Sequence, residues 1–417
     1  MTTLVVVGQG YVGLPLAEAA SSRGIAVYGL DLNESTVQQL NGGYSHIDDL
    51  ANDDVSRMLT QGYKATSDYS VVREADFVTI CVPTPLGSDG GPDLGPVISS
   101  AKSIAEHLQS GTTVILESTT YPGTTEEVLV PLLEESGLIH GLDFHVAFSP
   151  ERVNPGFPEY GIRNTPKLVG GVTSEGTQSA VRFYSEFVET VVPLKGAKEA
   201  EMAKLLENTY RHVNIALVNE MARFSHEMDI DIWEVIRGAA TKPFGFQKFS
   251  PGPGVGGHCI PIDPNYLSHH VKKTLGYPFR FVELAQEINN NMPAYVVQRT
   301  VELLNGKRKS LNGSSVLLLG VTYKPNIADQ RESPAVPVAE QLVKAGADVC
   351  FYDPYVETWN IPSGPLMRVS SLRSAVKSAD LVLLLQAHED FDFDGLLEDS
   401  KLFFDTRGVA GVRAATL

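Results

Sequence analysis

Apolar runs that stop at polar or glycine residues give the first outline of the chain. Residues 3–7 form a β-branched run ending at Gly8, and apolar positions then recur at helical spacing from Tyr11 to about Ser22. A second strand over 27–30 ends at Asp31. Further strand-like runs cover 77–82, 113–116 and 145–148, and they lead into Thr84, into Ser118, Thr119 and Thr120, and into Glu151. Strands alternating with helical stretches predict an α/β protein with a parallel, doubly wound sheet. Ligands of such sheets bind beyond the carboxyl ends of the strands, where Asp31, Thr84, Thr120 and Glu151 all fall.

From about 197 to 228 the period changes to one long helix, with Met202, Leu205, Leu206, Val213, Leu217, Val218 and Met221 at helical spacing. At 1.5 Å per residue it is roughly 45 Å long, enough to link two domains or form a subunit seam. Helical pattern continues over 231–239, breaks in KPFGFQKFSPGPGVGG and resumes over 281–304. The opening architecture then returns: a strand over 315–319 to Gly320, a helix over 334–345, a strand over 349–352 to Asp353, and ADLVLLLQA echoing ADFVTICVP at 75–83. The second copy lacks the glycine spacing of the first.

A length of 417 residues, 43% hydrophobic and 20% charged, fits several folded cores and argues against disorder. Fifty acidic against 33 basic residues give a formal charge of −17 without any Lys/Arg run, which disfavours nucleic-acid and anionic-membrane partners. The three cysteines, Cys81, Cys259 and Cys350, are too few and scattered for a disulfide framework or a closed zinc site, so no metal and a reducing compartment are expected. The apolar start lacks a basic flank and breaks at Gly8, unlike a signal peptide. No apolar window approaches the roughly 18 residues of a membrane span. A cytoplasmic protein is expected.

GQGYVG supplies Gly8, Gly10 and Gly13, with Tyr11 and Val12 between them, at a strand end that opens a helix. The first glycine permits the tight turn, the second lets backbone approach a pyrophosphate, and the third allows close helix–strand packing. Asp31 can accept hydrogen bonds from ribose hydroxyls and repels a 2′-phosphate, and Leu32, Asn33 and Glu34 bring no compensating arginine. These residues point to NAD rather than NADP. The plainer alternative is a tight turn followed by a helix cap at Asp31.

PGPGVGGHCIPIDP sets Cys259 behind glycines that let backbone come close to a ligand, with Asp263 four residues later. A thiol near its usual pKa of about 8.5 is mostly protonated at neutral pH, so a nucleophilic cysteine needs a cation or base beside it. His258 is not given that role, because neighbouring side chains diverge. Cys81 and Cys350 lie in apolar strands and read as structural; for Cys259, residue chemistry leaves catalysis and burial both open. Lys204 and Asn208 are i and i+4 on one helix face, with Arg211 extending the row, which suits a solvated face or a charge set against an anionic intermediate. TYKPNIADQRESP follows the first strand of the second copy, so Lys324 and Arg331 either meet phosphates or belong to a charged surface loop.

In chain order, GQGYVG, VPTP, ESTTYPGTTEE, SPERVNPG, EMAKLLENTYRHVNIALVNE, GVGGHCIPIDP and YKPNIADQRESP make the sequence resemble the UDP-glucose/GDP-mannose dehydrogenase family along nearly its whole length. ATKPFGFQKFSPGPGVGGHCIPIDPNYL is most similar to the subgroup that oxidises UDP-N-acetylhexosamines, with UDP-N-acetylglucosamine first and UDP-N-acetylmannosamine or UDP-glucose as alternatives. The resemblance implies an N-terminal Rossmann NAD-binding domain over 1–195, a central helical dimerisation domain with the cysteine loop over 196–308, and a C-terminal Rossmann-like UDP-sugar-binding domain over 309–417. It also implies a homodimer or higher homo-oligomer.

The family's reaction is two successive NAD-dependent oxidations at sugar C6, alcohol to aldehyde to acid, without a metal. By motif, the resemblance makes Cys259 the nucleophile that forms a thiohemiacetal and then a thioester, which water releases. Lys204 and Asn208 stabilise the oxyanion and touch substrate, Asp263 holds Lys204 and assists proton transfer, and Glu151 serves the water-dependent steps. Thr120, or Thr119 in the alternative register, positions a water. Gly8, Gly10, Tyr11, Val12, Gly13, Asp31, Thr84 and Arg331 fall to the cofactor, and Phe249, Gly256 and Lys324 to the sugar nucleotide. Relatives acting on UDP-glucose commonly carry a second glutamate four residues after the position of Glu151, where this chain has Pro155. Two other classes are separable by experiment: a sensor that binds NAD and a sugar nucleotide without turnover, and a single-step hydroxyacid dehydrogenase that tolerates loss of the thiol.

Overall fold

The computed structural model describes residues 2–47, 49–87, 91–153, 159–257, 260–411 and 413–417. The chain divides into two compact units, Met1–Glu207 with Asn265–Gly276, and Asn208–Pro264 with Tyr277–Leu417.

The first unit is built on strands β1 (Thr3–Val7), β2 (Ala26–Leu30), β3 (Lys64–Thr66), β4 (Phe77–Ile80), β5 (Thr113–Leu116), β6 (His145–Phe148), β7 (Lys167–Gly171) and β8 (Val191–Pro193). They form one sheet in the order β3-β2-β1-β4-β5-β6-β7-β8. The apolar run of β1 serves two faces at once. Leu4 and Val6 enter a core layer with the helix Gly13–Ser21, whereas Val5 and Val7 enter another with Val97, Ala101 and Ile104 of the helix Gly95–Ala105. Alternating side chains with both faces covered are why the strand reads as continuously hydrophobic.

The parallel expectation needs one correction, because β6 and β7 pair antiparallel. The described residues between them hold no helix, and without a crossover a returning strand lies antiparallel to its neighbour. A second correction concerns Cys81: β4 ends at Ile80, so the cysteine follows the strand rather than lying within it, but it is buried as expected.

The second unit carries β9 (Ser315–Leu319), β10 (Asp348–Tyr352), β11 (Trp359–Ile361), β12 (Gly364–Arg368), β13 (Leu381–Leu384), β14 (Phe403–Asp405) and β15 (Ala415–Thr416), in the order β11-β12-β10-β9-β13-β14-β15. Only the hairpin β11–β12 is antiparallel among the recorded pairs. The architectural repeat is explicit: β2-β1-β4 and β10-β9-β13 have the same order, and the echoing segments ADFVTI and ADLVLL supply β4 and β13.

Helices join these sheets in sequence. The long helix runs over Ala197–Glu227, and Ile232–Ala239 follows with Asp231 as its cap, accepting from the Trp233 and Glu234 N–H groups. Arg280–Gly306 packs Met292, Val296 and Leu304 into the core beneath β9. A helix the periodicity does not announce, Asp263–Leu275, begins directly after the cysteine loop, with Asp263 and Pro264 in its first turn. Proline is favoured there, since its missing N–H has no helical partner to lose.

Candidate functional site

The glycine turn after β1 has the shape a dinucleotide requires. Gly8 has φ +91°, and a Cβ on it would come within 2.8 Å of the Cys81 carbonyl oxygen. A Cβ on Gly13 would overlap the Gly8 carbonyl, whereas one on Gly10 would meet nothing within 4 Å. Crowding at Gly8 and Gly13 therefore shapes the turn, and Gly10 leaves an open backbone edge for a phosphate. Asp31, past the end of β2, accepts the Gln9 N–H on Oδ2 at 3.0 Å and the Asn33 N–H on Oδ1 at 2.9 Å, which fixes its carboxylate beside the turn. The alternative of Asp31 as a helix cap is set aside, because the cap of Glu34–Asn41 is Asn33, which accepts from the Ser35 and Thr36 N–H groups. An open glycine edge with an oriented carboxylate fits NAD.

Tyr11 is 38% exposed, and Val12 packs on the core of the first unit. Thr84 is buried after β4, its Oγ1 donating to the Thr119 carbonyl at 2.8 Å and its own carbonyl accepting from the Tyr266 hydroxyl. Thr120 is 1% exposed, and its hydroxyl has no partner among the described residues. A buried hydroxyl left unpaired costs about 1–3 kcal/mol, which a bound water or ligand removes.

Glu151, past the end of β6, uses both its backbone and its side chain. Its carbonyl accepts from Lys204 Nζ, its Oε1 accepts from the Val153 N–H, and its Oε2 lies 3.7 Å from Lys167 Nζ. Lys204 stands on the long helix, three residues after Glu201. That buried carboxylate accepts from the Gly123 N–H at 2.6 Å, the Thr125 N–H at 2.9 Å and the Thr125 hydroxyl at 2.7 Å, tying the ESTTYPGTTEE loop to the helix. Burial pushes Glu201 up to about 7 against the opposing pull of those donors.

In the second unit, Asn208 Nδ2 donates to Asp263 Oδ2 at 2.6 Å, bringing together residues 55 apart in sequence. Phe249 packs edge-on to Tyr210 with ring centres 5.8 Å apart. The glycine loop before the cysteine lies against the 323–334 segment. A Cβ on Gly256 would come within 2.7 Å of the Glu332 carbonyl and of Tyr323 Cβ, and the Gly257 N–H donates to the Arg331 carbonyl at 3.2 Å. Two motifs far apart in sequence thus share one surface. Beyond them, Thr322 Oγ1 donates to the Lys324 carbonyl at 2.8 Å, and the Arg331 guanidinium spans both oxygens of Asp329. Cys259 itself, with His258, lies outside the described residues, as does Pro155.

Arg407 escaped the sequence reading. It follows β14 in DTRG, where the Asp405 carboxylate accepts from the N–H groups of residues 407–410. A Cβ on Gly252 would lie 2.7 Å from Arg407 Nη1, so this guanidinium borders the glycine loop. Burial pulls it below its usual value, with Asp405 opposing. The rule that ligands gather at carboxyl ends of strands, applied to the second sheet as to the first, would have found it.

Among the described residues no group of three or more His, Cys, Asp or Glu is arranged to hold a metal ion, and no helix is long and apolar enough to cross a membrane.

Comparison with known proteins places these features in one group. The family models of the UDP-glucose/GDP-mannose dehydrogenases match in order: the NAD-binding domain over residues 2–188, the central domain over 198–291 and the UDP-binding domain over 317–411. The chain belongs to the UDP-glucose/GDP-mannose dehydrogenase family. It is an NAD-dependent nucleotide-sugar dehydrogenase, with a domain for each of NAD and the UDP moiety. A UDP-N-acetyl-D-glucosamine 6-dehydrogenase of Salmonella typhi is 34% identical over 416 residues, covering 97% of this chain and 96% of that one. A UDP-N-acetyl-D-mannosamine dehydrogenase of Pyrococcus horikoshii is 35% identical over 390 residues, covering 93% and 90%. A solved structure of the Pyrococcus horikoshii UDP-D-ManNAc dehydrogenase superposes with a TM-score of 0.90 at 33% identity, covering 99% of this chain and 97% of that one.

Proposed function

We propose that the protein is a UDP-N-acetylglucosamine 6-dehydrogenase. Overall, the C6 alcohol, one water and two NAD yield the carboxylate, two NADH and three protons. When bound, NAD accepts the hydride of each oxidation. Lys204 and Asn208, one helical turn apart, set positive charge and a donor against the oxyanion, and Asp263 orients the donor and assists proton transfer. Cys259 Sγ adds to the aldehyde carbon, because a tetrahedral adduct can release a hydride that the free aldehyde cannot. The resulting thioester is opened by a water that Thr120 positions and Glu151 deprotonates; the C–S bond breaks and the thiol recovers a proton.

What carries this assignment is the pairing of motif residues distant in sequence: Lys204 on the Glu151 carbonyl, and Asn208 on the Asp263 carboxylate at 2.6 Å. The unpartnered hydroxyl of Thr120 favours it over Thr119 as the water-holding residue. Lys324 and Arg407 supply charge for the UDP-sugar beside Phe249 and Gly256, and the family motif assigns Arg331 to the cofactor. The cysteine-loop sequence and the Salmonella relative support the N-acetylglucosamine reading; the Pyrococcus relative, equally similar, makes N-acetylmannosamine the second reading. The same proposal takes residues 1–195, 196–308 and 309–417 as NAD-binding, dimerising and UDP-sugar-binding domains of a cytoplasmic homodimer.

Purified enzyme offered UDP-N-acetylglucosamine, UDP-N-acetylmannosamine and UDP-glucose should form two NADH per sugar, fastest with the first. Failure to turn over any UDP-hexose rejects the assignment. Cys259→Ser should release no acid, and full uronate formation by that variant would contradict the covalent step.

A further inference from the structure

Behind Glu151 the first unit buries a second carboxylate together with a cation. Glu117, the residue after β5, is 1% exposed; Lys167, which opens β7, is 5% exposed; Tyr184, which ends the helix Ser174–Tyr184, is fully buried. Lys167 Nζ lies 2.6 Å from Glu117 Oε2 and 3.7 Å from Glu151 Oε2, and it sits 4.9 Å from the centre of the Tyr184 ring. The Tyr184 hydroxyl donates to Glu117 Oε1 at 2.6 Å. Burial, then Glu117 and Glu151, push the nearby Cys81 thiol up, with Lys167 opposing.

One ammonium thus serves two carboxylates of unequal standing. Burial pulls Lys167 down, but Glu117 and Glu151 outweigh it and hold Lys167 above its usual value, so the side chain is a cation. Burial raises Glu117, which Lys167 opposes. A buried ion pair adds little stability over packed hydrocarbon, so stability alone gives weak reason to keep Glu117 and Lys167. The third member is different: Glu151 is partly exposed and stands beside Lys204.

We infer that Lys167, fixed by Glu117 and Tyr184, is a positioning residue for Glu151 in the water-dependent half of the reaction. Glu151 Oε1 is tied to the Val153 N–H and Oε2 faces Lys167, so both oxygens are engaged and the carboxylate is held in one orientation. Lys204, which donates to the Glu151 carbonyl, holds the backbone at the same residue. The inference rests on Glu151 being the base that opens the thioester.

The test uses Lys167→Met in the full-length enzyme, with acid quenching and intact-protein mass measurement. Acid release should slow at least about tenfold, as expected when a general base is misplaced. The covalent adduct of the sugar nucleotide should accumulate, while the first hydride transfer stays within about twofold of the parent. Lys167→Arg should recover most of the rate. A folded Lys167→Met enzyme with parental acid release and adduct level overturns the inference. Should that variant not fold, Tyr184→Phe decides, since it removes only the hydroxyl that steadies Glu117: a slower acid release with adduct build-up supports the inference, and parental behaviour overturns it. Glu151→Gln separates the two levels. If acid release survives in that variant, the role of Glu151 is wrong; if it is lost and Lys167→Met still changes nothing, only the positioning role is wrong.

Discussion

His212 is fully buried on the inner face of the long helix, and burial pulls its imidazole down to about 4. Its folded value lies below its unfolded one of about 6.5, so the unfolded chain binds the extra proton first on acidification. Its contribution is complete above pH 6.5 and is lost as pH falls toward 4, by at most about 3 kcal/mol. Glu201 has the opposite sign. With the folded value raised to about 7, the folded state holds the proton longer, and stability declines as pH rises from about 4.5 through 7. The two windows overlap with opposite slopes, so the two terms largely cancel in the parent. Urea unfolding followed from pH 4.5 to 6.5 should show stability falling with rising pH in His212→Gln, where only the Glu201 term is left, and climbing with pH in Glu201→Gln, where only the His212 term is left. A pH slope unchanged by either variant would contradict the assignment for that residue.

At the scale of elements, Asn219 joins three segments of the second unit. Its Nδ2 donates to Asn289 Oδ1 at 2.9 Å on the helix Arg280–Gly306, and its Oδ1 accepts the Gly252 N–H at 2.9 Å at the base of the cysteine loop. Asn219→Ala leaves both partners buried and unpaired, so a loss of about 2–4 kcal/mol is expected in urea unfolding, with faster hydrogen exchange at Gly252. Neither the pairing nor its strength can be read from sequence, because residues 33 and 70 apart meet only after folding. What can be read is whatever a local rule requires. β1 and β9 declare themselves by unbroken apolar runs covered on both faces, and Gly8, Gly10 and Gly13 by a backbone turn that side chains would obstruct. The three-residue strands β3 and β8 are too short to show a period. In DPNYLSHHVKKTL the apolar positions are too sparse for the 3.6-residue rule, so that helix stayed hidden although Asp263, in its first turn, was picked out. Arg407 lies where the strand-end rule points, but its contact with Gly252, 155 residues earlier in the chain, forms only on folding.

For the whole molecule, the unresolved balance is between apolar surface and charge. On the long helix, His212, Asn219 and Ala222 are fully buried, whereas Tyr210, Leu217 and Phe224 are 47%, 53% and 45% exposed. The exposed three recur every seven residues, so they lie along one face opposite the buried side, drifting only about 20° per repeat. Phe281 and Leu284 of the helix Arg280–Gly306 are also exposed, at 69% and 54%. Large apolar side chains in a row rather than singly are the mark of an association surface. Two copies that each carry −17 repel one another at long range, so an apolar seam must overcome that repulsion. Raising salt from about 0.01 M to 0.15 M shortens the screening length from about 30 to 8 Å, and the proposed dimer should therefore tighten with salt, unlike one held by ion pairs across its seam. Sedimentation velocity should show a dimer that Leu217→Glu with Phe224→Glu converts to monomer, since each substitution adds negative charge where hydrocarbon was to be covered. A doubly substituted protein that sediments as the parent does at both salt concentrations would remove this face of the helix as the seam.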